Sequence, residues 1–256
     1  MTEPAIEPAT ESTESSGYVT AYVAEANPLL APILQHARTR PDATAVIDSG
    51  GRTLTFAELA RRAASARQSL ADAGLAPGDP VYFAIRPGPD ALIAGLAVLG
   101  AGATIVVADP GAGRELFAVR GALVSAGVGA GGGAGGGAGV GAGGGAGGGT
   151  PWAAAEALLH TLTTRPLREA VRRKGLILPD FAALGVARHL HTGRRLPGVP
   201  RHSLPLSRLT ASHTPPPIPV QDPDRPAVVV FTSGTTAAPR GVVHTQTTLA
   251  AGSALI

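Results

Sequence analysis

The chain has 256 residues, 44% of them hydrophobic, and a formal net charge of only +3, so it is long and apolar enough to bury a substantial core. It contains no cysteine, which excludes disulfides, thiolate metal sites and cysteine nucleophiles together and leaves a cytoplasmic setting as the expectation. Residues 1–26 carry Glu3, Glu7, Glu11 and Glu14 among Pro, Thr and Ser, without the basic and apolar stretches of a signal peptide, and read as a disordered acidic tail.

From residue 27 onward, short β-rich runs alternate with amphipathic helices, the pattern of an α/β fold with layered sheets and flanking helices. Ala43 to Ile47 reads as a strand, Ser49-Gly50-Gly51 as a turn and Arg52-Thr53-Leu54 as a second strand, together a hairpin. Thr55 and Glu58 have the spacing of a capping box, and Leu59, Ala63, Ala66 and Leu70 follow on one helical face before Gly74 stops the helix. Pro77-Gly78-Asp79 turns the chain into a strand at Val81 to Ile85, which ends at Arg86-Pro87-Gly88-Pro89.

Ala91 to Ala108 is uncharged and approaches the length of a membrane span. The glycines at 95, 100 and 102 divide it instead into a buried helix, a turn and a buried strand, TIVVAD, so no membrane span is expected.

A Gly/Ala-rich insert follows at 127–149. Its tandem repeat has nothing to pack and maximal backbone entropy to lose, and reads as a flexible connection spanning about 25 Å as a random coil. Thr150-Pro151 looks like a helix start for WAAAEALLHTL, and Pro166 opens a second helix, LREAVRRK, stopped by Gly175. The repeated prolines from Pro179 to Pro226 read as irregular surface chain. Between Arg165 and Arg208 there are ten Lys or Arg against Glu169 and Asp180. With no aromatic interleaving and no nucleic-acid motif, this reads as a solvated basic surface, and no nucleic-acid partner is expected.

The segment richest in chemistry comes last. Ala227 to Phe231 is a continuous apolar run that forms a buried parallel strand, and it delivers the chain into Thr232-Ser233-Gly234-Thr235-Thr236. Hydroxyls and exposed backbone N–H groups can cradle phosphate oxygens, glycine lets the backbone approach closely, and Arg240 adds a charged donor fork. The five residues TSGTT by themselves also read as an ordinary polar loop. No Walker-type GxxxxGK[ST] is present.

The whole string FTSGTTAAPRGVVH resembles the phosphate-loop signature of the adenylate-forming (AMP-binding) acid ligases, the acyl-CoA synthetase superfamily. RTLTFAELARRAASARQSLADAGLAPGDPV, with the later LGAGATIVVAD, resembles the opening of the same family, so residues 27–256 are expected to be an N-terminal part of its adenylation domain. The resemblance implies an ATP-dependent ligase that activates a carboxylic acid, fatty or otherwise hydrophobic, as an acyl-adenylate on the way to an acyl-CoA. ATP and Mg²⁺ would be required, with CoA as acyl acceptor.

Thr232, Ser233, Gly234, Thr235, Thr236, Arg240 and Gly241 would bind the ATP phosphates, and His244 would be a nucleotide or substrate contact. Two positions depart from the family pattern: Ala237 replaces a glycine, at a cost of about 1–2 kcal/mol if that position is left-handed, and Arg240 replaces a lysine. The resemblance places the adenine- and ribose-binding segments, the acidic Mg²⁺ ligand and the catalytic lysine beyond Ile256. No catalytic or metal-binding residue is therefore assigned here, Lys174 included, and the remaining half would come from elsewhere, such as a separate chain. The competing reading is a non-catalytic anion-binding or interaction module that keeps the loop without the chemistry.

Overall fold

A computed structural model of the chain describes residues 28–107, 150–174, 178–182, 184–211, 222–232 and 240–253. The acidic tail at 1–26, the glycine-rich insert at 127–149 and the helix stop at Gly175 lie outside the described residues.

Helix α1 (Ala31–Thr39) leads into a two-stranded antiparallel hairpin, β1 (Thr44–Ile47) and β2 (Thr53–Thr55). Its turn is built as the sequence predicts: Asp48 Oδ1 accepts from the backbone N–H groups of Gly50 and Arg52 at 2.8 and 2.9 Å, and Gly51 takes φ +79°. Helix α2 (Phe56–Asp72) then starts on Thr55, whose hydroxyl accepts from the Glu58 N–H at 3.2 Å. Only half of the capping box forms, because the Glu58 carboxylate pairs with Arg62 at 2.6 Å, one turn along the helix.

Strand β3 (Pro80–Ala84), helix α3 (Pro89–Gly100) and strand β4 (Thr104–Val107) form a βαβ unit, with Gly102 at φ +72° in the tight helix-to-strand turn. The apolar stretch from 91 is thus divided where its glycines indicated, and among the described residues no helix is long and apolar enough to cross a membrane.

The later elements are β5 (Trp152–Glu156), α4 (Ala157–Leu162), α5 (Arg165–Arg173), β6 (Arg188–Thr192), β7 (Leu204–Pro205), α6 (Leu206–Leu209), β8 (Pro226–Thr232), β9 (Arg240–Thr245) and α7 (Gln246–Ser253). Seven strands form one sheet in the order β7-β6-β5-β3-β4-β8-β9, parallel throughout except for the antiparallel β8–β9 pair. Strand alternation divides the core in two. Val81, Ile105, Trp152, Ala154 and Leu190 face the layer formed by α2 and α3, while Tyr82, Val106, Ala153, Ala155 and Val229 face Leu159, Leu178, Phe181 and Leu184.

Two sequence expectations fail here. WAAAEALLHTL is not one helix: its first half is the interior strand β5, paired on both sides, and only Ala157–Leu162 is helical. Alanine's helix propensity is overridden because Ala153, Ala154 and Ala155, all 0% exposed, let both helical layers approach the sheet. Nor is 179–226 all irregular: β6, β7 and α6 lie within it, and β6 buries His191 and Leu190 at 1% exposure. Histidines and a flanking arginine gave that strand no apolar signature.

Candidate functional site

The parallel strands all point their carboxyl ends toward one edge of the sheet, where open α/β folds bind ligands. Three features gather there.

The first is the β8–β9 hairpin. Its register runs from Val228 opposite His244 to Phe231 opposite Gly241 and Thr232 opposite Arg240, where the two strands meet the intervening segment 233–239. Thr232 and Arg240 are therefore backbone neighbours at the mouth of the segment the sequence singles out. Ser233, Gly234, Thr235, Thr236 and Ala237 lie outside the described residues. β8 is an interior strand, but in a mixed setting, parallel to β4 and antiparallel to β9. His244 lies four residues down β9 from Arg240, about 13 Å along the hairpin, near the opposite end of β8.

The second is a cavity of about 1080 Å³ at the ends of β3, β5 and β6. Successive strands depart from β3 in opposite directions, toward β4 on one side and β5 on the other, so this crevice sits at a topological switch point. Arg86 and Glu156 pair there at 2.7 Å, and the same carboxylate oxygen also accepts the Arg86 backbone N–H at 3.1 Å. The hydrogen bond that Arg86 donates to the Glu156 carboxylate holds the guanidinium above its usual range. The β-to-turn boundary at Arg86-Pro87 was legible in the sequence, but the partner seventy residues later was not.

The third is an arginine-lined cavity of about 1010 Å³ between α2 and the β6–β7 connection. The sequence shows the excess of basic residues in this part of the chain without showing that it encloses a space. Among the described residues no group of His, Asp or Glu gathers that could hold a metal ion.

The segment between β8 and β9 joins the sheet at its carboxyl edge, in an α/β fold with a mostly parallel sheet, and sequence comparison identifies the family. The AMP-binding enzyme family matches residues 33–256, and the chain belongs to that family. It is 31% identical over 208 residues to phenyloxazoline synthase MbtB of Mycobacterium sp. (strain MCS), a match covering 80% of this chain and 13% of that protein. The apo structure of MbtA from Mycobacterium smegmatis superposes with a TM-score of 0.54 at 26% identity, over 94% of this chain and 37% of that one. Acetoacetyl-CoA synthetase from Streptomyces lividans shares the fold, with a TM-score of 0.54 at 22% identity, covering 84% of this chain and 29% of that one. The chain thus corresponds to an N-terminal portion of the adenylate-forming enzymes and spans well under half the length of these relatives.

Proposed function

We propose that Thr232–Thr236 with Arg240 and Gly241 hold the β and γ phosphates of ATP while a carboxylate attacks the α phosphorus, giving an acyl-adenylate and pyrophosphate. The observation that carries this reading is the β8–β9 hairpin: it closes at Thr232 and Arg240, so a loop of hydroxyls, glycine and a guanidinium leaves the sheet at its carboxyl edge in a chain of the AMP-binding family.

The catalytic contribution of this segment is positioning and charge stabilisation: N–H and O–H donors and one fixed cation face charge that builds on the departing pyrophosphate. Arg240 supplies that cation through a planar fork, which suits two phosphate oxygens at once but places the charge differently from an ammonium. Mg²⁺ would accompany the nucleotide as counter-ion of the polyphosphate, the usual manner of Mg²⁺ binding at phosphate sites. His244, at its distance from the hairpin mouth, would reach only parts of the nucleotide or acid remote from the γ phosphate.

We take the acid to be hydrophobic, with a fatty acid the first to test, and the acyl acceptor to be the thiol of CoA. The resemblance to acyl-CoA synthetases supports both. Relatives that include a phenyloxazoline synthase keep a second route open, in which the adenylate serves peptide-type assembly.

Binding of ATP and AMP to the purified chain tests the phosphate assignment. ATP is expected to bind at least about tenfold more tightly than AMP, because only ATP carries the groups the loop would contact. Equal affinities, or no binding by a folded chain, would overturn the phosphate assignment and leave a non-catalytic interaction module as the better account.

A further inference from the structure

The arginine-lined cavity is not needed by the ATP reading. Six guanidinium-bearing residues line it: Arg61 and Arg62 from α2, Arg194, Arg195 and Arg201 from the β6–β7 connection, and Arg208 from α6, with Asp90 the acidic residue among its described lining. Two of these charges are already engaged, since Arg62 pairs with Glu58 at 2.6 Å and Arg61 donates to the Thr210 carbonyl at 3.4 Å. Arg195 donates to the carbonyls of Val199, Pro200 and Arg201 at 3.1–3.3 Å, bracing its own loop. Arg194, Arg201 and Arg208 are exposed and have no ion pair among the described residues.

The frame under these arginines is fixed. Gly198, at φ +93°, packs so closely on the end of α4 that a Cβ there would lie 2.6 Å from Thr164 Cγ2 and 3.1 Å from the His160 carbonyl oxygen. Thr161 Oγ1 donates to the Pro197 carbonyl at 2.6 Å, tying the same loop to the same helix. On the cavity wall His191 Nδ1 and Ser203 Oγ are hydrogen-bonded at 2.8 Å, both residues buried, which clamps β6 to the return of the loop. The loop that carries Arg194, Arg195 and Arg201 is thus fixed by packing and hydrogen bonds, and an anion bound among these like charges would offset their repulsion.

The shape and lining restrict the occupant. A concave space of about 1010 Å³ is of small-molecule size, and among the described residues no aromatic side chain other than His191 lines it to stack on bases. Four strand spacings separate β6 from β8, or about 19 Å, more than a triphosphate held by the hairpin loop would span.

We propose that this cavity is a second anion site, separate from the hairpin loop, and that it takes a compact small molecule bearing two or more phosphate groups. The forked guanidiniums of Arg194, Arg201 and Arg208 bind phosphate oxygens in pairs, and the bracing fixes the loop backbone that carries Arg194 and Arg201.

Inorganic tripolyphosphate is the probe, titrated calorimetrically into the full chain carrying Thr235→Ala and Thr236→Ala, so that the hairpin loop is disabled. Saturable binding at one site is expected to persist, and adding Arg194→Ala, Arg201→Ala and Arg208→Ala is expected to weaken it by at least about tenfold with little change in the thermal unfolding midpoint. Arg208→Ala alone, which disturbs no bond among the described residues, is expected to weaken binding about threefold and guards against a folding defect in the multiple variant. Replacing the three arginines by lysines should recover part of the affinity, since charge returns without the fork. The proposal is overturned if the loop-disabled chain shows no saturable binding, if the arginine variants bind as it does, or if an oligonucleotide binds and tripolyphosphate does not. Loss of ATP binding through the hairpin loop would leave these outcomes readable, because the two sites are varied independently.

Discussion

Lowering the pH from 7.5 to 4.5 is expected to remove about 2–3 kcal/mol of folding stability through His160 alone. His160 is 2% exposed, packs against Phe181 and His189 with ring centroids 5.3 and 5.2 Å away, and among the described residues has no hydrogen-bond partner for its buried Nε2. Burial, reinforced by His189 and His191, lowers its pKa from 6.5 to about 4. The unfolded chain therefore takes up a proton below pH 6.5 that the folded chain refuses until about pH 4, so stability is full above 6.5 and falls through that window. His189 and His191 are lowered by burial too and add with the same sign. Urea unfolding at the two pH values measures the loss, and His160→Leu should flatten the dependence whatever it does to stability at neutral pH. An unchanged acid limb in that variant would show that His160 is not buried neutral.

Ala154→Asp is expected to cost more than about 3 kcal/mol and to leave little folded protein, because a carboxylate would enter a fully buried position flanked by β3 and β5's other partner, β6. The comparison that makes this informative is Leu158→Asp, only a few residues on but 48% exposed in α4, where a change under about 1 kcal/mol is expected. Were the segment one amphipathic helix, as its alanines suggest, no such contrast at this short spacing would be required. Chemical unfolding of both variants distinguishes the two; equal, small effects would contradict the strand.

That segment shows where sequence reasoning stops. Turns and caps were legible because their causes are local: Gly51, Gly74 and Gly102 do take positive φ, and the Thr55 hydroxyl does cap α2. The strand at Trp152 was not, since three alanines become a strand only when neighbouring strands stand on both sides and two layers press on its faces. β6 hid for the opposite reason: His189 and His191 are polar in sequence, yet one ring packs edge-to-face against His160 and the other is hydrogen-bonded to Ser203.

The functional elements divide the same way. The segment proposed to hold phosphate, residues 232–241, is contiguous, so its residue types are legible in the sequence, and the structure adds the paired strands on either side of it. The arginine cavity joins Arg61 and Arg62 to Arg194 and Arg208, more than a hundred residues apart, and only the packing of α2 against α6 reveals it.

The proposed function depends on phosphate binding by the segment between β8 and β9. Its most direct test is Mg²⁺·ATP binding to the full chain and to the variant with Thr235→Ala and Thr236→Ala, whose folded state is checked by thermal unfolding. Saturable ATP binding, weakened about thirtyfold or more by the double substitution through loss of two donors to charged oxygens, is the predicted result. Binding that the folded double variant retains in full would contradict it and move the nucleotide elsewhere on the molecule.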